Sequence, residues 1–368
     1  MTGGGTGGHV NPALAIAGTI KANVPGAVIE YVGTSKGIEN RLVERAGYKM
    51  HHIEIQGIRR SLSPANIKTA YYVLTAPGKA KKLIKEFRPD IVIGTGGYVC
   101  WPVIKAASQM GIPTALHESN AVPGVAVKAL ASRVDRIYVN FEKAAESFAD
   151  RSKVVHVGNP LMSQFALIGK EEARRQIGVP EGCRYVLLSY GGSLGAHRIN
   201  EAMLSFMKNV AARRPEIYHV HATGSSEYGA VSEKFKEAGL DGCENVSLVE
   251  YIYDMPVRMA AADAVVCRAG AMTVSELSRC GKCAVFIPSP NVTNNHQYKN
   301  AKVLADAGAA LLFEEPELDA SFEDELSSLL SEAGDARRAD MERKIADFSV
   351  PDANKRILDD ILKLTGDK

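Results

Sequence analysis

GGGTGGHVNPALA, residues 3–15, and YGGSLGAHRIN, residues 190–200, are glycine-rich turns that each open a helical pattern. A third turn of similar composition, GTGGYV, occupies residues 94–99, and both it and the turn at 190 follow a short apolar run. Glycine-rich turns of this kind place bare backbone N–H groups at a helix start, where open amides and the helix dipole together favour a phosphate. One such turn in each half of the chain predicts a nucleotide-dependent enzyme with two domains facing across a cleft.

Working outward, short β-rich runs alternate with helical patterns. They fall at residues 27–32, 90–93, 114–116 and 136–139, then restart at 184–190 and continue at 218–222, 246–248, 264–267 and 284–287. That alternation calls for parallel sheets covered on both faces. The fold class is therefore α/β, with two doubly wound Rossmann-like domains. VGNPLMSQFALIG, residues 157–169, begins no regular pattern, which sets the division near Gly158: domains 1–157 and 158–350. Residues 351–368 form a C-terminal segment with one amphipathic helix at 352–364, whose docking site the pattern leaves open.

Composition narrows the function. At 368 residues with 46% hydrophobic and 23% charged, the chain has the make-up of a soluble protein with two full cores. The 44 basic and 42 acidic residues create no global field for a polyanion, so nucleic acid is not an expected partner. No apolar run reaches the ~18 residues that span a bilayer, and no signal segment opens the chain, so a cytoplasmic location is expected. Six cysteines are scattered, and the one close pair, Cys280 and Cys283, ends a helix rather than starting one. All six read as reduced structural thiols.

Two motifs carry competing readings. Gly3, Gly5 and Gly8 fit G-x-G-x-x-G with Glu30 near the ribose-binding position, the pattern of an NAD-dependent dehydrogenase. Glu30 lies inside its apolar run rather than past its end, however, and a second glycine loop is not what hydride transfer needs. A P-loop is excluded, because no G-x-x-x-x-G-K-[ST] occurs. In CRAGAMTVSEL, residues 267–277, Glu276 is placed to reach a diol, but Thr273 to Glu276 also reads as a capping box that turns the glutamate back on the backbone. His296, Gln297 and Asn300 follow the AVFIP run, at a sheet's carboxyl edge or as helix caps.

Taken in order, GGGTGGHVNPALA, GTGGYV, HESNAVPG, GGSLGA, CRAGAMTVSEL and HQYKNA resemble the MurG family. Its members are bacterial transferases that move N-acetylglucosamine from UDP onto the lipid-linked muramyl-pentapeptide of peptidoglycan synthesis. The resemblance implies a GT-B fold, the acceptor on the N-terminal domain, UDP-N-acetylglucosamine on the C-terminal domain, and inversion at the anomeric carbon. By position it implies that Thr6, Gly7 and Gly8 face the donor diphosphate and that His9 is the catalytic base. Asn120 matches a polar contact near the sugar and acceptor, with Glu118 beside it as the second catalytic candidate. Ser193 matches a diphosphate contact, Ile252 a backbone position reading uracil, and Gln297 a contact to sugar hydroxyls. Ala271, Met272, Thr273, Val274, Ser275 and Glu276 match the helix start whose glutamate holds the ribose. His117 reads equally as a packed strand-end histidine, and Tyr98 as structural.

The chemistry asks for one base and several donors aimed at phosphate. A metal-dependent sugar transferase usually shows D-x-D, which is absent, so neither an active-site metal nor a cofactor is expected. A different GT-B UDP-sugar enzyme, an epimerase or a non-catalytic UDP-sugar scaffold remain as alternatives.

Two departures stand out. The family's arginine after Asn-Pro is replaced by Leu161 and Met162, which removes a charge-assisted contact unless Arg198 or another basic residue substitutes. The chain also opens directly on the first glycine turn without an apolar run to feed it, so the native protein is expected to carry extra N-terminal residues. The lipid-linked acceptor, undecaprenyl-pyrophosphoryl-muramyl-pentapeptide, implies peripheral attachment to the cytoplasmic face of the cell membrane. Ile67, Tyr71 and Leu74 share a helical face near Arg59, Arg60, Lys68 and Tyr72, which suits an anionic surface. Ala80, Leu83, Ile84 and Phe87 form a second stripe that reads as core-facing, with lysines as its rim.

Overall fold

In the computed structural model the strands pair in parallel, as a chain that separates its β-rich runs with helices must do. The structure describes residues 1–57, 65–161 and 168–366. Two units emerge, one of Met1–Met162 with Val350–Lys368 and one of Ser163–Ser349.

The first unit runs α1 (Gly7–Asn23), β1 (Glu30–Gly33), α2 (Glu39–Arg45), β2 (Lys49–His52), α3 (Ala65–Phe87), β3 (Val92–Gly94), α4 (Cys100–Gln109), β4 (Thr114–Glu118), α5 (Val125–Leu130), β5 (Arg136–Val139) and β6 (Val154–His156). Strands β3-β4-β5-β6 form one sheet and β1-β2 another. Thr2 joins the two, bridging in parallel to Val32 on one side and Gly94 on the other. The first glycine turn thus leaves the sheet at the point where strand order reverses, where α/β folds place ligands. Strand β1 begins at Glu30, later than the run at residue 27 implied.

The second unit runs α6 (Lys170–Gln176), β7 (Tyr185–Tyr190), α7 (His197–Asn209), β8 (Ile217–Ala222), α8 (Tyr228–Glu237), β9 (Val246–Val249), α9 (Met255–Ala261), β10 (Ala264–Cys267), α10 (Ala271–Cys280), β11 (Cys283–Phe286), α11 (His296–Asp306), β12 (Ala310–Leu312), α12 (Ala320–Leu329) and α13 (Asp335–Ala346). Its strand order is β12-β11-β10-β7-β8-β9. The reversal lies between β7 and β10, so the turns after these two strands sit side by side. The core is filled from α7 and the strands by Phe206, Met203, Leu187, Val266 and Val285, all buried. The six cysteines are free, and burial pushes the Cys283 thiol up to about 12.

The C-terminal helix, Ala353–Thr365, belongs to the first unit, which answers the docking question its pattern left open. Its apolar face, Ile357 and Ile361, packs with Ile16, Ile93, Ala115 and Tyr138. Its polar face carries Asp360, which accepts from the Tyr138 hydroxyl at 3.0 Å and the Arg136 guanidinium at 3.1 Å. Gly158 holds φ +81°, and a Cβ there would stand 2.6 Å from Val350, so only glycine lets the two chain crossings touch. Ile357→Ala should destabilise the first unit by about 2–4 kcal/mol, the cost of a buried large-to-small change. A urea titration that leaves the midpoint unchanged would show that the helix is not part of that unit's cooperative core.

Candidate active site

In the first unit, two glycine turns interlock. Thr95 donates its hydroxyl to the His9 carbonyl at 2.6 Å, and the Gly4 amide donates to the Gly96 carbonyl at 3.4 Å. Gly96 sits at φ +107°, and a Cβ there would lie 2.6 Å from His9 Cδ2, so the bare glycine makes room for the imidazole. His9 lies in the first turn of α1, with Thr6 as N-cap and Gly7 and Gly8 before it. Its Nδ1 lies 2.9 Å from the Gly4 carbonyl. A carbonyl only accepts, so Nδ1 carries the proton and Nε2 is the acceptor nitrogen of the neutral ring. Thr6 Oγ1 lies 3.3 Å from the same Nδ1.

Glu118 ends β4 and is buried. Its Oε1 accepts from the Asn120 amide and side chain, each at 2.9 Å, and its Oε2 from the Gly124 amide at 2.8 Å. The carboxylate therefore folds the loop 119–124 around itself. His117 points the other way: it is fully buried, donates Nε2–H to the Gly158 carbonyl at 3.1 Å, and burial lowers its pKa to about 4. It is a packed neutral histidine. Tyr98 packs beside the core and reaches the bare Cα side of Gly5, a structural role. Glu30, the acid of the dinucleotide reading, pairs with Lys49 at 2.9 Å and His51 at 2.6 Å on β2, which removes it from any ribose.

In the second unit, the turn 191–196 leads into α7 with no side-chain cap, so its first amides face outward. This turn is clasped by the one after β8: Ser225 and Ser226 donate their amides to the Ser193 and Leu194 carbonyls. Beside it, Gly270 is the N-cap of α10 and again supplies no side-chain cap. The capping box, one of the two readings of this stretch, does not form, because the helix already starts at Ala271 and Thr273 lies within its first turn. Ala271, Met272 and Val274 are buried, whereas Thr273, Ser275 and Glu276 are half-buried. Burial alone pushes the Glu276 carboxyl up to about 8. Ile252 is buried in the loop after β9, and Gln297 accepts the Ser289 amide at 2.9 Å. Asn300 is buried on α11 and donates to the Ala269 carbonyl at 3.3 Å, tying α11 to the turn before α10. Arg198 bonds Glu201 and the Glu315 carbonyl, so its guanidinium is committed to the surface of α7. Met162 lies outside the described residues.

Sequence reasoning missed two groups. Glu39, fully buried at the start of α2, receives donors from Thr34 and Gly5; the only signal was the glycine density of GTSKGIEN around it. The second is the buried set Ser189, His219, His221 and Asn200. Asn200 donates to the Thr223 carbonyl at 3.0 Å, so its oxygen takes His221 Nε2–H at 3.1 Å. Ser189 then donates to His221 Nδ1 at 2.8 Å and accepts from His219 Nε2 at 2.7 Å. Burial lowers both histidine pKa values, that of His221 to about 4, so the network braces the turn after β8 in uncharged form.

Residues 1–139 match the glycosyltransferase family 28 N-terminal domain and residues 186–357 the glycosyltransferase family 28 C-terminal domain. The chain belongs to glycosyltransferase family 28. It is 40% identical, over 99% of its length and 98% of the relative's, to a protein of Acetivibrio thermocellus. That relative is named UDP-N-acetylglucosamine–N-acetylmuramyl-(pentapeptide) pyrophosphoryl-undecaprenol N-acetylglucosamine transferase. A relative of the same name from Caldanaerobacter subterraneus is 41% identical over 97% of both chains. Among solved structures, Acinetobacter baumannii MurG superposes with a TM-score of 0.76 at 30% identity, covering 99% of this chain and 98% of its own. A UDP-GlcNAc 2-epimerase from Neisseria meningitidis, at 15% identity and a TM-score of 0.65, shares the fold. The family 28 chain is thus a GT-B glycosyltransferase.

The raised carboxyl of Glu276 fixes a pH signature. The folded state favours its neutral form, so this stabilisation is complete below the usual carboxylate pKa near 4.5 and is lost as pH rises through about 8. Glu276→Gln should therefore melt higher than the parent protein at pH 9 and nearly level with it at pH 4.5. A melting difference that does not grow across that window would mean the carboxyl is solvated.

Proposed function

We propose that this chain transfers N-acetylglucosamine from UDP-N-acetylglucosamine to the C4 hydroxyl of muramyl-pentapeptide carried on undecaprenyl pyrophosphate, inverting the anomeric carbon. The observation that carries this reading is the 40% identity along 99% of the chain to a transferase of that name. The geometry supplies a chemistry that fits. His9 takes the acceptor proton at Nε2 while the hydroxyl oxygen bonds to C1. The C1–O bond to phosphate breaks, and its electron pair leaves with UDP.

The remaining assignments follow from what each group can offer. Thr6, Gly7, Gly8 and Ser193, with the open amides at the start of α10, are donors for the diphosphate. Glu276 is the carboxylate for the ribose diol, Ile252 offers backbone to uracil, and Gln297 offers its NH2 to sugar hydroxyls. Asn120 contacts the acceptor side. Glu118, with both oxygens held by loop donors, shapes that loop and is the lesser candidate for the base.

Purified protein should release UDP from UDP-N-acetylglucosamine only when the muramyl lipid is present; equal release without acceptor would point to a hydrolase or epimerase. His9→Ala should lower turnover by roughly 10²–10⁴-fold, as loss of a general base does, with UDP affinity unchanged. Parallel losses in both would mark His9 as a binding residue.

Such an acceptor lives at a membrane, and we place the contact on α3. Tyr71 is 62% exposed and Leu74 81%, whereas Ala80 and Ile84 of the second stripe are buried in the core. Arg59 and Arg60, and the side chains of Ile67 and Lys68, lie outside the described residues. No helix among the described residues is long and apolar enough to cross a membrane. The protein should bind anionic vesicles less as salt rises, and the pair Tyr71→Ser, Leu74→Ser should weaken binding further. Equal binding to neutral and anionic vesicles would remove the electrostatic part of this reading.

A further inference from the structure

The peptide group between Gly4 and Gly5 is held at both edges. A trans peptide is planar, so its N–H and C=O leave in opposite directions. On one side the Gly5 N–H donates to Glu39 Oε2 at 3.2 Å; on the other the Gly4 carbonyl accepts from His9 Nδ1 at 2.9 Å. Glu39 is fully buried, and its Oε1 takes the Thr34 amide at 3.0 Å and hydroxyl at 2.7 Å. Burial opposes its ionisation, but the Thr34 and backbone donors outweigh that and hold the carboxyl below its ordinary range. The packing is built around this carboxylate: a Cβ on Gly4 would stand 2.7 Å from Glu39 Oε1.

We propose that Glu39 is a positioning residue for the transfer, acting on His9 through the Gly4–Gly5 peptide to hold the acceptor lone pair on Nε2. The inference rests on the reading of His9 as the base. A carboxylate accepting from the amide N–H draws electron density toward the carbonyl oxygen, which then binds Nδ1–H more strongly. When Nε2 takes the acceptor proton, the imidazolium faces a carbonyl backed by a negative charge rather than a bare one. The proton on Nδ1 stays there throughout, and Glu39 takes none. The arrangement is the carboxylate–histidine logic of hydrolase triads with one peptide group interposed.

Glu39→Gln is the discriminating substitution. Its single amide oxygen can still satisfy the two Thr34 donors, but its NH2 then meets the Gly5 N–H, donor against donor. Turnover should fall by about 10- to 100-fold, the range seen when an orienting partner is lost, while UDP affinity stays close to that of the parent protein; the melting temperature should drop by a few degrees, because a buried donor is left unpaired. The ¹⁵N signals of His9, assigned by difference with His9→Gln, should move from the Nδ1-protonated form toward a mixture of tautomers. Glu39→Asp, which keeps the charge but draws it back, should recover part of the turnover, and it decides by the same criteria if Glu39→Gln does not fold. In a His9→Gln background, Glu39→Gln should cost nothing more.

Parent-like turnover and an unchanged tautomer in Glu39→Gln would overturn the proposal. So would a turnover loss matched by an equal loss of UDP affinity, or an additive loss in the double variant. His9→Gln with full turnover would instead sink the reading of His9 itself. An inactive His9→Gln beside a fully active Glu39→Gln would remove only the role of Glu39.

Discussion

The first unit depends on how closely two backbones approach. The turns at residues 3–8 and 94–97 meet main chain to main chain, with Thr2 pairing toward β1 and β3 at once. A side chain at Gly97 would collide with the Gly4 carbonyl, and one at Gly96 with the His9 ring. The contact therefore does two jobs through one set of missing atoms: it closes the sheet across its reversal point and fixes the histidine beside it. Strand pairing and side-chain placement cannot vary independently here.

The second unit solves a different problem. Its turns after β7 and β10 lead into helices whose first amides no side chain caps, and open amides are poor anchors. The anchoring is moved one layer back, into Ser189, His221 and Asn200, which hold the neighbouring turn by neutral hydrogen bonds. Uncharged braces leave the local field to the helix starts, where an anion benefits from it. Glu276, in contrast, is an acid raised by burial, a group whose ionisation is favoured once hydroxyl donors reach it.

Fold class was legible because an interior strand such as residues 264–267 is a continuous apolar run, which coincides with β10. The strands that escaped were β2, β6 and β12, of sequence KMHH, VVH and ALL. Each lies at an edge of its sheet, where half-exposed positions accept polar residues and three or four residues carry no period. The glycine turns were visible as composition, but the partners that give them shape were not. Glu39 belongs to no motif, because its value lies in contacts with residues 5 and 34 that no local spacing encodes. Glu276 carries two readings in the sequence, and the start of α10 at Ala271, two residues before Thr273, removes only the capping box.

The C-terminal helix has a consequence for biosynthesis. Its Ile357 and Ile361 complete a core begun by Ile16, so the first unit to leave the ribosome is the last to be finished. All of residues 163–349 must be made before that core can close. During this interval the nascent chain exposes an apolar seam on α1 and β3, the kind of surface that chaperones hold. Vectorial synthesis thus favours a second unit that folds by itself while the first one waits.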